Sequence, residues 1–256
     1  MSFKPDSRLV SRVHAAVNVE PRHGGARPEL LILHYTGMSS ADKAIGWLAK
    51  AESRVSCHYV IDEAGHISQL VPETLRAWHA GISSWHGKTD INSRSIGIEI
   101  HNPGHEHGYP DFPFDQMNAV IALSNDIVAR HGMRPESVLA HSDVAPERKI
   151  DPGEKFSWAM LAKAGLGHWV RPSAIRADET GLGVGAKSET VLKAQKLLAA
   201  YGYDAPVTGE IDQKTAKVLR AFQLHFRPAK VDGRLDHSTL RTLERLVAAL
   251  GQPVSS

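Results

Sequence analysis

Short apolar runs set the layout of this chain: Leu30–Tyr35 (LLILHY), His58–Ile61, Ile67–Val71, Ser95–Ile100 (SIGIEI) and Val138–His141. Each is too short for an ordinary helix and rich enough in branched and aromatic residues to read as a strand. Between them the spacing becomes helical. Ser39–Ala51 sets Ile45, Leu48 and Ala49 close together, and Asp115–His131 places Met117, Val120, Ile121, Ser124 and Val128 near one helical face. Strands that hide in a sheet and helices with one apolar stripe can bury both surfaces only by stacking in layers. The expectation is an α/β or α+β domain with a central mixed β-sheet flanked by helices.

The last quarter is built differently. Val207–Leu219 (VTGEIDQKTAKVL) recurs as Val231–Leu243 (VDGRLDHSTLRTL), with Gly, Asp and Thr in matching places. Each copy reads as a turn entering a helix, with Asp212 or Asp236 as N-cap, Thr215 or Thr239 one turn in, and Leu219 or Leu243 pointing inward. A third helix over Thr190–Tyr201 completes a small three-helix domain. Pro172–Ser188 has small and turn-forming residues and no apolar period, as a linker does. The predicted division is 1–170, a linker over 171–186, and 187–252. Residues 186–256 hold 11 Lys and Arg against 7 Asp and Glu, so the tail is near +4 and the remainder near −2 within a net charge of +2.

That balance provides no global field for nucleic acid or an anionic membrane. The single cysteine, Cys57, excludes an intrachain disulfide framework and any cysteine-based zinc cluster. No stretch approaches the roughly 18 apolar residues of a membrane span. The start, charged at Lys4, Asp6, Arg8 and Arg12, does not read as a secretory signal, which predicts a cytoplasmic protein.

A metal would therefore sit on His and carboxylate ligands, and the chain has 15 histidines. His34 and His141 lie within or at the end of strand-like runs, where an unpartnered ring costs a few kcal/mol. Asp151 comes ten residues after His141, just before a Pro152-Gly153 turn that would return the loop toward the strand end. Two imidazoles and one carboxylate make a three-ligand zinc set with its fourth position open to water, as in catalytic rather than structural sites. The spacing alone also fits a scatter of unrelated polar residues. Glu99 interrupts an otherwise apolar strand, either as half of a buried ion pair or as a general base for the attacking water, with burial raising its pKa. Lys149 is either solvated or placed to stabilise an oxyanion. His58 reads as a ring packed or hydrogen-bonded within the sheet, and His101, His105 and His107 as riders on an exposed loop.

Taken together, LILHYTG, CHYVID, WHAG, SIGIEIHN and AHSDVAPERKIDPG resemble the zinc-dependent N-acetylmuramoyl-L-alanine amidases of the amidase-2 family, over roughly residues 25–165. The resemblance implies the fold shared with peptidoglycan recognition proteins, and hydrolysis of the amide between the lactyl group of N-acetylmuramic acid and L-alanine of the stem peptide. It implies one zinc ion on His34, His141 and Asp151, with Glu99 as acid/base and Lys149 as the oxyanion-stabilising group. Tyr35, which follows the first ligand, and His79, whose loop borders the substrate cleft in such families, are candidate substrate contacts, with Trp78 packing beside that loop. Asn92 and Arg94 suit hydrogen bonds to the stem peptide, or equally a turn and a solvated surface. The tail, with its repeated turn and Ala221-Phe222-Gln223, resembles the peptidoglycan-binding-1 module over roughly 187–248. The implied ligand is peptidoglycan or a 1,6-anhydro-muropeptide, with no nucleic acid and no obligate protein partner. A wall-binding tail points to the periplasm or cell envelope, against the cytoplasmic reading of the N-terminus. The alternative to an enzyme is a muropeptide-binding protein of weak activity, since some proteins of this fold only bind.

Overall fold

The computed structural model describes residues 3–250. They divide into two compact units: the chain up to Gly81 together with Asp90–Ala140, and Ile82–Thr89 together with the chain from His141 onward.

The first unit contains, in chain order, β1 (Arg12–Val13), β2 (Val19–Pro21), β3 (Leu30–Tyr35), α1 (Ala41–Leu48), β4 (Tyr59–Ile61), β5 (Ile67–Gln69), β6 (Leu75–Ala77), α2 (Ile91–Arg94), β7 (Ser95–Ile100), α3 (Phe114–His131) and β8 (Val138–Ala140). Six strands form one mixed sheet in the order β1-β5-β4-β7-β3-β8, in which only β4 and β5 run antiparallel. β2 and β6 pair antiparallel as a separate ribbon. Because β3 and β7 lie inside the sheet with both faces covered, Leu31, Ile32, Leu33, Ile96 and Ile98 are all sealed from solvent. This is why the two segments read as apolar runs, interrupted at His34 and Glu99. β1, β2 and β6 are two or three residues long and carry no such run, so nothing in the sequence marks them. His141 begins a helix instead of ending β8.

Helix α1 is capped by Ser40, whose hydroxyl accepts from the Lys43 amide. Its Ile45 and Leu48 join Cys57, Val60, Leu70 and Val71 in a core cluster, where each large apolar side chain contributes about 1.5–3 kcal/mol by leaving water. The inward stripe of α3 is Met117, Val120, Leu123, Ser124 and Ile127, with Ile121 and Val128 only half-buried. The stripe is thus rotated from the expected one, because Leu123 and Ile127 compete for the same side of the helix.

The second unit contains α4 (His141–Val144), α5 (Trp158–Lys163), α6 (Glu189–Tyr201), α7 (Gln213–Phe226) and α8 (His237–Ala248). Asp212 accepts from the Thr215 amide and Asp236 from the Thr239 amide, and Leu219 and Leu243 are buried. A glutamine in the preceding helix completes each copy of the repeat. The Gln195 side-chain oxygen accepts from the amides of Thr208 and Gly209, while its nitrogen donates to the Glu210 carbonyl. Gln223 does the same with Asp232, Gly233 and Arg234. Each buried amide thereby satisfies a turn that would otherwise leave unpaired backbone groups. Tyr203, just after α6, and His225 of α7 bond the carboxylate of Asp143 in α4, and the His225 ring stacks on Trp158 in α5 at 3.6 Å between centroids.

Candidate metal centre

Register partners in parallel strands lie side by side and point to the same face of the sheet. In β3 and β7 the pairs include Leu30 with Ser95, Ile32 with Gly97 and His34 with Glu99. β4 adds Val60 beside Glu99, and β8 pairs Ala140 with Leu33. His141 directly follows Ala140, at the carboxyl end of β8. His141, His34 and Glu99 therefore follow one another across the carboxyl ends of parallel strands, where open α/β sheets place their ligands.

His141 opens α4, and its Nδ1 lies 3.0 Å from Oδ2 of Asp151. The Ser142 amide donates to the Asp151 carbonyl at 3.1 Å, which holds the loop beside the helix. Gly153, at φ 85°, supplies the left-handed residue that the returning turn requires. His34, His141 and Asp151 are all buried, and each offers one ligand atom that lies within 4.8 Å of the other two. Two imidazole nitrogens and a carboxylate oxygen held this closely, out of water, suit a zinc-class ion, and three protein donors leave a position for a reactant.

The ring of His79 is nine-tenths buried and both its nitrogens are engaged within the protein: Nδ1 lies 2.9 Å from His34 Nε2, and Nε2 lies 3.1 Å from Ser95 Oγ. Asn92 is buried too, its side-chain oxygen accepting from the amides of His79 and Ala80. These contacts give His79 and the Asn92 side-chain oxygen partners within the protein itself. Arg94 pairs with the Glu29 carboxylate. The Tyr35 hydroxyl lies 3.1 Å from His105 Nδ1. Lys149 is half-buried on the loop after α4, with its amide donating to the Ala145 carbonyl. Trp78 is half-buried, and its indole donates to Glu20 at 3.1 Å.

His58 is a structural ring. Its Nδ1 accepts from the Gly97 amide, and burial, followed by the nearby Arg22 charge, pushes its pKa down to about 3, so it is neutral. His101 is not on an exposed loop: it is buried, within 3.1 Å of Thr36 Oγ1 and 3.0 Å of a Glu63 carboxylate oxygen. Arg22 gave no signal in the sequence. Buried, it donates to the carbonyls of Glu73, Asn92, Ser93 and Ser95 and so ties down the segment leading into the Glu99 strand.

Residues 24–154, just over half of the chain, match the N-acetylmuramoyl-L-alanine amidase family, Amidase_2. The chain belongs to the N-acetylmuramoyl-L-alanine amidase family. Residues 187–243 of this amidase match the putative peptidoglycan binding domain. The amidase is 39% identical to N-acetylmuramoyl-L-alanine amidase AmiD of Escherichia coli K12 over 239 residues, 88% of this chain and 84% of that one. Among solved structures it resembles E. coli AmiD in complex with anhydro-N-acetylmuramic acid-L-Ala-D-γ-Glu-L-Lys, with a TM-score of 0.76 at 36% identity over 91% of this chain and 93% of that one. It also resembles AmpDh3 of Pseudomonas aeruginosa in complex with an anhydromuramic pentapeptide, with a TM-score of 0.69 at 32% identity over 88% and 93% of the two chains. No helix among the described residues is long and apolar enough to cross a membrane.

Proposed function

We propose that this amidase cleaves the bond between N-acetylmuramic acid, intact or in its 1,6-anhydro form, and the L-alanine of the stem peptide, using one zinc ion held by His34, His141 and Asp151. The observations that carry the reading are the pairing of His34 with Glu99 on adjacent parallel strands and the ligand atoms of His34, His141 and Asp151 within 4.8 Å of one another. The resemblance to two amidases solved with anhydromuramyl peptides supports the substrate class. We assign residues 1–170 to the hydrolytic domain, 171–186 to a linker and 187–252 to a wall-binding domain, in keeping with the two stretches of family similarity.

Zinc in such a set supplies a Lewis acid that brings the pKa of a water toward about 7 and polarises a carbonyl. The protein's own residues handle the protons and the remaining charge. The Glu99 carboxylate takes a proton from the attacking water and returns it to the amide nitrogen, so that L-alanine leaves as an amine and the lactyl group as an acid. The Lys149 ammonium balances the charge that develops on the carbonyl oxygen. Neither His79 nor Asn92 needs to touch substrate in this scheme.

The test is zinc content together with mass-spectrometric products after incubation with anhydro-muropeptide and, separately, with intact sacculi. One zinc per chain and free stem peptide are expected. His34→Ala should lose both zinc and activity, while Glu99→Ala should keep zinc and lose roughly a hundredfold or more in rate. A zinc-loaded protein that cleaves neither substrate refutes the hydrolytic reading, and a Glu99→Ala variant of normal rate refutes the proton-transfer role.

A further inference from the structure

An imidazole ligates a metal through the ring nitrogen that carries no proton, so something must decide which nitrogen that is. For His34 the decision can be followed through four groups of the first unit. His34 Nε2 lies 2.9 Å from His79 Nδ1, His79 Nε2 lies 3.1 Å from Ser95 Oγ, and the Ser95 hydroxyl donates to the Ile91 carbonyl at 2.7 Å. A carbonyl only accepts, so the single Ser95 proton is committed to it, and the Ser95 oxygen accepts from His79 Nε2–H. A neutral His79 protonated at Nε2 presents a lone pair at Nδ1. That lone pair accepts from His34 Nε2–H, which leaves the lone pair of His34 on Nδ1.

We infer that His79 is a positioning residue for His34, fixing through Ser95 and Ile91 the tautomer and ring angle in which His34 presents Nδ1 to the ion. The inference rests on the proposed ligand role of His34. Its surroundings are built around the ring of His79. The amides of His79 and Ala80 are pinned by Asn92 at 3.1 and 2.8 Å. Beneath the ring is Gly97, where a Cβ would come within 2.7 Å of His79 Cγ and Nδ1 and 2.8 Å of Cys57 Sγ. Gly97 lies inside β7 without a left-handed backbone, so its glycine answers the close approach of His79 rather than a turn. The rings of His34 and His79 meet edge to face at 89°. Support of this kind behind a metal-ligating histidine typically changes metal affinity 10–100-fold when removed.

The experiment measures zinc affinity of the full chain by competition with a fluorescent chelator, alongside the unfolding midpoint of the metal-free protein. His79→Leu, which keeps bulk and removes the acceptor, should weaken zinc by at least about tenfold, whereas His79→Asn, whose amide oxygen falls near the Nδ1 position, should stay within about threefold of the parent. Long-range proton–nitrogen NMR of the zinc-loaded protein should show His34 and His79 both protonated at Nε2. Parental affinity in a folded His79→Leu variant, or a His34 protonated at Nδ1, overturns the inference. If His79→Leu does not fold, Ser95→Ala replaces it: a severalfold loss of zinc affinity supports the relay, and parental affinity overturns it. His34→Ala separates the two levels. If it binds zinc as the parent does, the ligand reading itself fails; if it loses zinc while His79→Leu does not, only the positioning role fails.

Discussion

Asp143, two residues beyond His141, has no exposed surface, and its carboxylate is held by two side chains of the C-terminal helices and their connections. The Tyr203 hydroxyl donates to Oδ1 at 2.5 Å, and His225 Nδ1 lies 2.7 Å from Oδ2. Burial, and then the Asp143 charge, pushes the Tyr203 phenol well above its ordinary pKa, so it remains a donor throughout the working range. Tyr203→Phe removes that one hydroxyl and keeps the ring, whose packing on Trp85 at 5.0 Å between centroids stays in place. No cavity term arises, and the loss is that of a hydrogen bond to a buried charged group, about 1.5–3 kcal/mol. In a chain of this size 1 kcal/mol moves the melting temperature by roughly 2–4 °C, so a fall of about 4–8 °C is expected for a mid-range loss of 2 kcal/mol. Thermal and urea unfolding of the metal-free full chain, followed by circular dichroism, reads this directly. A variant within about 0.5 kcal/mol of the parent, the range of an ordinary surface substitution, would refute the reasoning.

Acid should act through Glu73, whose buried carboxylate accepts from Tyr59 and His131 at 2.7 Å each and from Arg130. Burial alone pushes its pKa up, but these hydrogen bonds together bring it down to about 2 from an ordinary 4.5. A folded-state pKa below the unfolded one means that the contribution, about 3 kcal/mol, is present above pH 4.5 and is lost as the pH falls toward 2. Glu73→Gln should therefore flatten the urea midpoint between about pH 5 and 2, and an unchanged acid slope would exclude this carboxylate as the cause. The two copies of the repeat should differ in the cost of their caps. Asp212→Ala should cost about 1 kcal/mol, while Asp236→Ala also strands the fully buried Arg227, paired with it at 3.2 Å, and should cost about 3–5 kcal/mol. Equal losses would count against that difference.

Much of this protein could be read before it folded, because its strongest signals are local. Leu30–Tyr35 and Ser95–Ile100 appear as strands residue for residue, since a strand covered on both faces is apolar along most of its length. Asp212 and Asp236 cap their helices as the repeat implies, because capping is settled within three residues. His34, Glu99 and His141 stood out as polar residues in apolar runs, and the resemblance supplied their roles. The sequence could not say that His34 and Glu99 are direct neighbours, because register between strands 65 residues apart is a property of the sheet. Nor could it say what His79 touches within the protein, since a histidine in a Trp-His-Ala-Gly loop carries no mark of whom it faces. Only the folded loop, pinned by Asn92 and lowered onto a glycine in β7, turns that ring toward His34. Local periodicity determines which residues are strand, helix and cap. The partner of a buried polar atom is set by segments far apart in the chain, each group taking the one donor or acceptor that burial leaves within reach.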